Sequence, residues 1–306
     1  MEPNTRLLRP KDPPVSSSNT VRGFWYGEPL NALHWACLRS FNKRHHRFEL
    51  FVYEDLDVPA GVRLRNANEI VPIERLFFLE NSHSSKKDVA PFTDYFRLKF
   101  LNDFGGWWCD IDTICLSSKF PAGERIWARQ APDYRPDSIS NGQLYFRKGD
   151  WVVGKLLAAC EEVMANIKRR ESLGPELISK VIAELELPLD MGASAEEFYP
   201  VRYIENFKLW LPEFYDEVKE KIASAVFLPI YQSYPARLGF NYKKLPPDGS
   251  FLNEFIRNEA PEFSGVTHDA EAFRHAVRGW FKHNFAWSIS RLLTVSKSDI
   301  LDWLNE

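Results

Sequence analysis

The run Gly106–Leu116, GWWCDIDTICL, is apolar at most of its positions, yet Asp110 and Asp112 stand in its middle with only Ile111 between them. Apolar runs of this kind are normally buried, and unpaired carboxylates are costly to bury. The β-favouring Ile111 and Thr113, with the bounding pair Gly105-Gly106, predict a strand over 107–116. Side chains alternate faces along a strand, so both aspartates would project to one side, roughly 6–7 Å apart. A helix would separate them by about 200°. Trp108, Ile114 and Leu116 share their face, and Cys109, Ile111 and Thr113 fill the other. Both faces are therefore mostly apolar, as in a central strand of an α/β sheet. Two like charges so placed repel each other and lose hydration unless a cation or hydrogen-bond donors compensate. A hard divalent cation, Mg²⁺ or Mn²⁺, does this with one or two carboxylates plus phosphate oxygens. The plainer alternative is a strand at its exposed end, with both aspartates in water.

The preceding stretch, PFTDYFRLKFLNDFGG (91–106), repeats Phe92, Phe96, Phe100 and Phe104 every four positions. That spacing predicts a helix over 92–104 with one aromatic face turned inward. Asp94 and Arg97 lie three apart and are neighbours on its surface. One reading makes them a local ion pair, worth little when exposed. The other notes that this helix feeds through Gly105-Gly106 into the DID segment. Arg97 then offers its donor fork to phosphate or sugar hydroxyls beside the carboxylates.

Outward from there, strands and helices alternate. VRGFWYG (21–27) reads as a buried strand, 30–41 as a helix, FELFVYE (48–54) as a second strand, with a third near Val62–Leu64. Helices are expected near 73–80, 151–168 and 175–185, and strands at 125–131, 142–147, 198–204 and 224–230. A further helix follows the turn at 246–250, with Ser250 as its N-cap. This order predicts an α/β protein: a parallel-rich sheet with helices on both faces and a helical C-terminal part. The last twenty residues read as one or two amphipathic helices. Residues 1–19 carry four prolines without periodicity and read as a mobile lead-in. Residues 20–306 form one expected domain, with a core over about 20–150 and a second part over about 151–306.

Composition narrows the function classes. Charge is nearly balanced, 39 basic against 42 acidic residues, which argues against a general nucleic-acid binder. The short basic cluster at 43–47 reads as a solvated loop. With 44% hydrophobic residues the chain can bury a sizeable core. Cys37, Cys109, Cys115 and Cys160 form no CxxC pair and read as small core residues, which favours a reducing compartment. The N-terminal stretch has no apolar h-region, and no window reaches the ~18 apolar residues of a membrane span. The expectation is a soluble cytoplasmic protein with no transmembrane segment, peripheral contact at the inner face of a membrane remaining open.

TDYFRLKFLNDFGGWWCDIDTICL (93–116) resembles the DxD-containing sugar-binding region of retaining glycosyltransferases of the α-1,4-glycosyltransferase and initiating mannosyltransferase group. Members carry an Asp, an Arg three residues on, then GG, an aromatic and D-x-D, here Asp94, Arg97, Gly105, Gly106, Trp107, Asp110 and Asp112. The resemblance runs over roughly 20–257. It takes in FWYGEPLNALHWACLRSF (24–41), SNGQLYFRKGD (140–150), LGPELISKVI (173–182), FYPVRYIENF (198–207) and YPARLGFNYKKLPPDGSFLNEF (234–255).

The resemblance implies a GT-A-type, Rossmann-like sheet that binds a nucleotide sugar at the carboxyl ends of parallel strands. It also implies a UDP- or GDP-hexose donor, a saccharide acceptor, a divalent cation and a place in polysaccharide biosynthesis. Within it Asp112 holds the metal, and Asp110 contacts the ribose or donor sugar, in part through the metal. Asp94 and Arg97 hold sugar hydroxyls, Trp25 stacks on the base with Tyr26 beside it, and Gly105 and Gly106 belong to the donor site. Asn141 and Gln143 fall near the donor sugar and acceptor. The alternative for Trp25 is a core tryptophan. One departure stands out: the family's A-x-H-L-W-N-like stretch is ARLGFN here, with Arg237 where a histidine is expected. Arg237 would then neutralise the diphosphate directly, or a third ligand would come from elsewhere, His268 and His283 being candidates. Two other readings compete. DIDT also matches the D-x-D-x-T pattern of haloacid-dehalogenase-like phosphatases, with Asp110 as nucleophile and Asp112 as general acid–base, although about 90 residues of α/β pattern precede it. A non-catalytic sugar-binding paralogue is the third.

Overall fold

A computed structural model describes residues 20–80, 87–133, 135–165, 173–241, 244–284 and 303–304. The lead-in expected over 1–19 and all but two residues of the expected terminal helices lie outside the described residues. In chain order the elements are β1 (Thr20–Phe24), α1 (Ala32–Lys43), β2 (Arg47–Val52), β3 (Val62–Asn66), β4 (Leu79–Glu80), β5 (Lys87–Asp88) and α2 (Ala90–Phe104). Then come β6 (Gly106–Cys109), β7 (Thr113–Cys115), β8 (Arg125–Ile126), β9 (Gln143–Phe146), α3 (Trp151–Met164), α4 (Pro175–Glu184) and α5 (Ala195–Phe198). The last are α6 (Tyr215–Lys221), β10 (Phe227–Pro229), α7 (Ser233–Arg237), α8 (Phe251–Glu259) and α9 (Ala270–His283).

Six strands form one sheet in the order β3-β2-β1-β6-β9-β8. The first four run parallel, and β9 pairs antiparallel with both β6 and β8. The chain is thus the α/β protein expected, with a mostly parallel central sheet between helices. Strand alternation sorts the core. Phe24, Phe51 and Trp108 face α2, where Phe92, Phe96 and Phe100 are fully buried among them and against α3 and α4. Burying each such phenylalanine contributes about 1.5–3 kcal/mol. Val21, Phe48, Leu50 and Trp107 face the other way, toward Leu38 and Phe41 of α1. The outer side of α1, through Ala36 and Cys37, is covered by the C-terminal part. All four cysteines are free and buried, as small core residues should be.

Several elements differ from the sequence expectation. The strand expected over 107–116 is broken: β6 ends at Cys109, residues 111–112 turn, and β7 leaves the main sheet to pair with β10. The expected helix at 73–80 is a single 3₁₀ turn at Ile73–Arg75, because Leu76 is already extended, and the chain then forms β4. The expected strand at 198–204 is instead the end of α5 and the start of a 3₁₀ segment at Tyr203–Leu209. A capping box starts α5, Ser194 accepting from Glu197 N–H while the Glu197 carboxylate accepts from Ser194 N–H. The strand expected over 125–131 is ordered as a ladder only at Arg125–Ile126, with isolated bridges at Trp127 and Arg129. Ser250 does cap α8, accepting from Asn253 N–H. Among the described residues no helix is long and apolar enough to cross a membrane.

Candidate active site

β1 and β6 lie side by side and parallel, so their carboxyl ends open onto one crevice. That is where open α/β sheets place ligands. The chain leaves β1 as Trp25-Tyr26 and β6 as Asp110-Ile111-Asp112, and a cavity of about 630 Å³ is lined by all five. Asp94, Arg97, Asn141 and Arg237 line it too, brought from α2, the lead-in to β9 and α7.

Arg97 is the hub. Its guanidinium, on a side chain only 3% exposed, donates to Asp94 Oδ1 at 2.8 Å and to Asp110 Oδ1 at 2.7 Å. It also lies over the Trp108 ring, whose Nε1–H donates to Asp110 Oδ1 at 3.0 Å. Asn141 Nδ2 donates to Asp94 Oδ1 at 2.7 Å. Gly142 lets the chain pass close to Asp110, since a Cβ there would sit 3.3 Å from Oδ2. So the Asp94–Arg97 pair is neither a surface ion pair nor isolated; it anchors the first aspartate of the DID segment.

Asp112 is held from the far end of the sequence. Its backbone carbonyl accepts from Ile230 N–H, and Oδ2 accepts from Gln232 N–H at 3.0 Å. Asp110 precedes a turn that contains Asp112, so the two do not share a strand face, and they are not simply wet: Asp110 is 33% exposed and Asp112 partly buried. Burial, reinforced by Asp110, pushes the Asp112 carboxyl up to about 6. Burial likewise raises Asp94 to about 6 against the pull of Arg97. Burial disfavours the Arg97 charge, yet Asp110 and Asp94 together outweigh it and hold its pKa above the usual value. Arg97 thus serves Asp94 and Asp110, while Asp112 has only backbone donors among the described residues. With Asp88, Arg135 and Arg237 the described lining carries four carboxylates against three guanidinium groups, leaving the DID pair open to a cation.

The donor set admits a particular kind of ion. Among the described residues no three His, Cys, Asp or Glu side chains converge as a metal site. Two carboxylates fit Mg²⁺ or Mn²⁺, which complete their shells with water and phosphate oxygens. Arg237 reaches the same cavity with its guanidinium over the Tyr203 ring, 5.4 Å from the centroid.

Other expected residues stand apart. Gly105 caps the end of α2 and Gly106 begins β6, at the end opposite Asp110. Gly105 has φ +66°, and a Cβ there would meet Lys148 N at 2.4 Å, so its role is packing against the chain after β9. Gln143 is buried and donates to Thr113 Oγ1 at 2.8 Å, bracing β9 against β7 outside the cavity. His268 bonds the Asn241 carbonyl and packs on Phe240, and exposed His283 ends α9; neither lines the cavity. Among the described residues no lysine lines the cavity, whereas a dehalogenase-like phosphatase site calls for one. Sequence reasoning missed His34, Gln232, Tyr203 and Arg135. Of these, Asn31-x-x-His34 carries a local signal, a capping box at the start of α1.

No protein-family profile and no curated protein sequence matches the chain. Among solved structures it is similar to the PaToxG glycosyltransferase, at 14% identity and a TM-score of 0.39, over 55% of this chain and 69% of that one. It is similar to the glycosyltransferase GlyE of Streptococcus pneumoniae TIGR4, at 14% identity and 0.37, over 87% of this chain and 63% of that one. A third is the galactosyltransferase LgtC in complex with donor and acceptor sugar analogs, at 13% identity and 0.42, over 83% and 99%.

Proposed function

We propose that the chain is a retaining, GT-A-type glycosyltransferase that moves a hexose from a UDP- or GDP-linked donor to a saccharide acceptor. The observation that carries this reading is the convergence of Asp110 and Asp112 with the Asp94–Arg97–Asn141 cluster in one crevice at the carboxyl ends of β1 and β6. Asp112 and Asp110 would hold a divalent cation. When bound, that ion supplies positive charge opposite the leaving diphosphate. Trp25 and Tyr26 offer aromatic faces for the base; such stacking is worth ~1–3 kcal/mol. Asp94 and Asn141 present acceptor and donor atoms for sugar hydroxyls, and Arg97 keeps Asp110 and Asp94 in register. Arg237 offers a fixed cation to the diphosphate, in the role that the expected histidine would have served through the metal.

In the reaction the bond from the anomeric carbon to the phosphate oxygen breaks. The acceptor oxygen bonds to that carbon on the face the phosphate leaves, and its proton passes to the leaving phosphate. No carboxylate is assigned as a covalent nucleophile. Asp112→Asn is expected to lower turnover by at least 10³-fold while the far-UV spectrum stays native; near-normal activity in that variant would sink the mechanism. A thermal-shift panel of UDP- and GDP-sugars, with and without Mn²⁺, identifies the donor, because a ligand bound only by the folded state raises the midpoint. The arginine at 237 favours one other reading, a non-catalytic sugar-binding paralogue. Binding of a donor without hydrolysis or transfer would mark it.

A further inference from the structure

His34 and Gln232 belong to no catalytic motif, yet the structure sets them together against the candidate site. His34, in the first turn of α1, is 1% exposed. Its Nδ1 accepts from Asn31 N–H at 3.3 Å. A neutral imidazole that accepts at Nδ1 must carry its proton on Nε2. Burial keeps the ring neutral by lowering its pKa to about 4. Nε2 lies 2.5 Å from Gln232 Oε1, so the imidazole donates there. That bond fixes which way the amide points: with Oε1 on His34, the NH₂ branch is left for the cavity that Gln232 lines. No described residue accepts from it. The Gln232 backbone N–H meanwhile donates to Asp112 Oδ2, and the Trp25 ring packs on His34 with centroids 4.6 Å apart. One imidazole therefore ties the aromatic rim of the cavity to its metal-facing carboxylate.

We propose that Gln232 is a ligand-contacting residue whose NH₂ group donates to a non-bridging phosphate oxygen of a bound nucleoside diphosphate, and that His34 is the positioning residue that aims it. The proposal rests on the nucleotide-sugar reading above. Gln232 touches Asp112 through its backbone N–H and Trp25 through His34, and it lines the same cavity as both, so in this chain of contacts it lies between the groups proposed for cation and base, the interval a diphosphate spans. The hydroxyl-rich sugar is handled separately, at Asp94 and Asn141.

The test uses the full chain with UDP and GDP, each with Mg²⁺, in titration calorimetry, and with uridine and guanosine followed by NMR as phosphate-free controls. Gln232→Ala is expected to weaken the nucleoside diphosphate roughly 10- to 100-fold, the range for a hydrogen bond to a charged group, and to leave the nucleoside unchanged. His34→Leu weakens it similarly, whereas His34→Gln, whose terminal N–H reaches where Nε2–H stood, restores most of the affinity. In the wild type, ¹⁵N shifts are expected to show neutral His34 with its proton on Nε2. Unchanged affinity in Gln232→Ala, a proton on Nδ1, or a His34→Gln no better than His34→Leu overturns the proposal alone. Wild-type protein that binds neither diphosphate overturns the nucleotide-sugar reading with it. Gln232→Ala alters only a cavity wall, so it decides the matter even if the His34 variants fail to fold.

Discussion

Asp112 shows how a site can cost stability. Its carboxyl is held at about 6 by burial and by Asp110, above the ordinary carboxylate range. A carboxyl whose folded pKa exceeds its unfolded one binds its proton more tightly when folded. Its contribution to stability is complete below about pH 4 and is lost as pH rises through about 6. Asp112→Asn should therefore stabilise the ligand-free protein by about 1–2 kcal/mol at pH 8, with the gain fading as pH falls toward 4. Urea melts of the two proteins at both pH values measure this; a variant less stable at pH 8 contradicts it. If the two aspartates hold a cation as proposed, its affinity is expected to follow the opposite course and weaken as pH falls through about 6, because protonated carboxyls do not ligate. Arg97 and Asp94 were legible from their spacing because three residues on a helix is a contact distance. Gln232 was not, since its partners His34 and Asp112 are 198 and 120 residues away.

At the scale of elements, the aromatic period of α2 announced both the helix and its buried face, and the glycine pair announced the strand after it. What the pattern does not encode is where a strand changes partners. The run 107–116 is apolar on both faces throughout, so its composition is the same before and after Asp110, where it leaves one ladder for another. The short extended pieces β4, β5 and β8 have two residues each, too few to show a period. Gly105 illustrates a motif residue with a mechanical task. Gly105→Ala forces a Cβ into the backbone at Lys148 at a positive φ, and a loss of about 2–4 kcal/mol is expected. Nucleoside diphosphate affinity of the folded protein should not change. A weaker affinity at unchanged stability would return this glycine to the donor site.

At the scale of the whole molecule, the hydrophobic packing crosses the expected division near residue 150. One core cluster joins Phe96 and Trp108 to Val153, Leu156 and Ile178, and another joins Ala36 and Cys37 to Phe207 and Leu252. Neither part keeps a closed core without the other. A fragment of residues 20–150 is expected to lack the near-UV dichroism of fixed tryptophans, and the full chain to unfold in one calorimetric transition. Two resolved transitions would argue for separate domains. The clasp of residues 230 and 232 on Asp112 also places the site in time. A ribosome that has released only the first two hundred residues has made both aspartates but not the backbone that seats the second one. The growing chain thus carries a half-built crevice until residues 230 and 232 have left the ribosome and closed on Asp112.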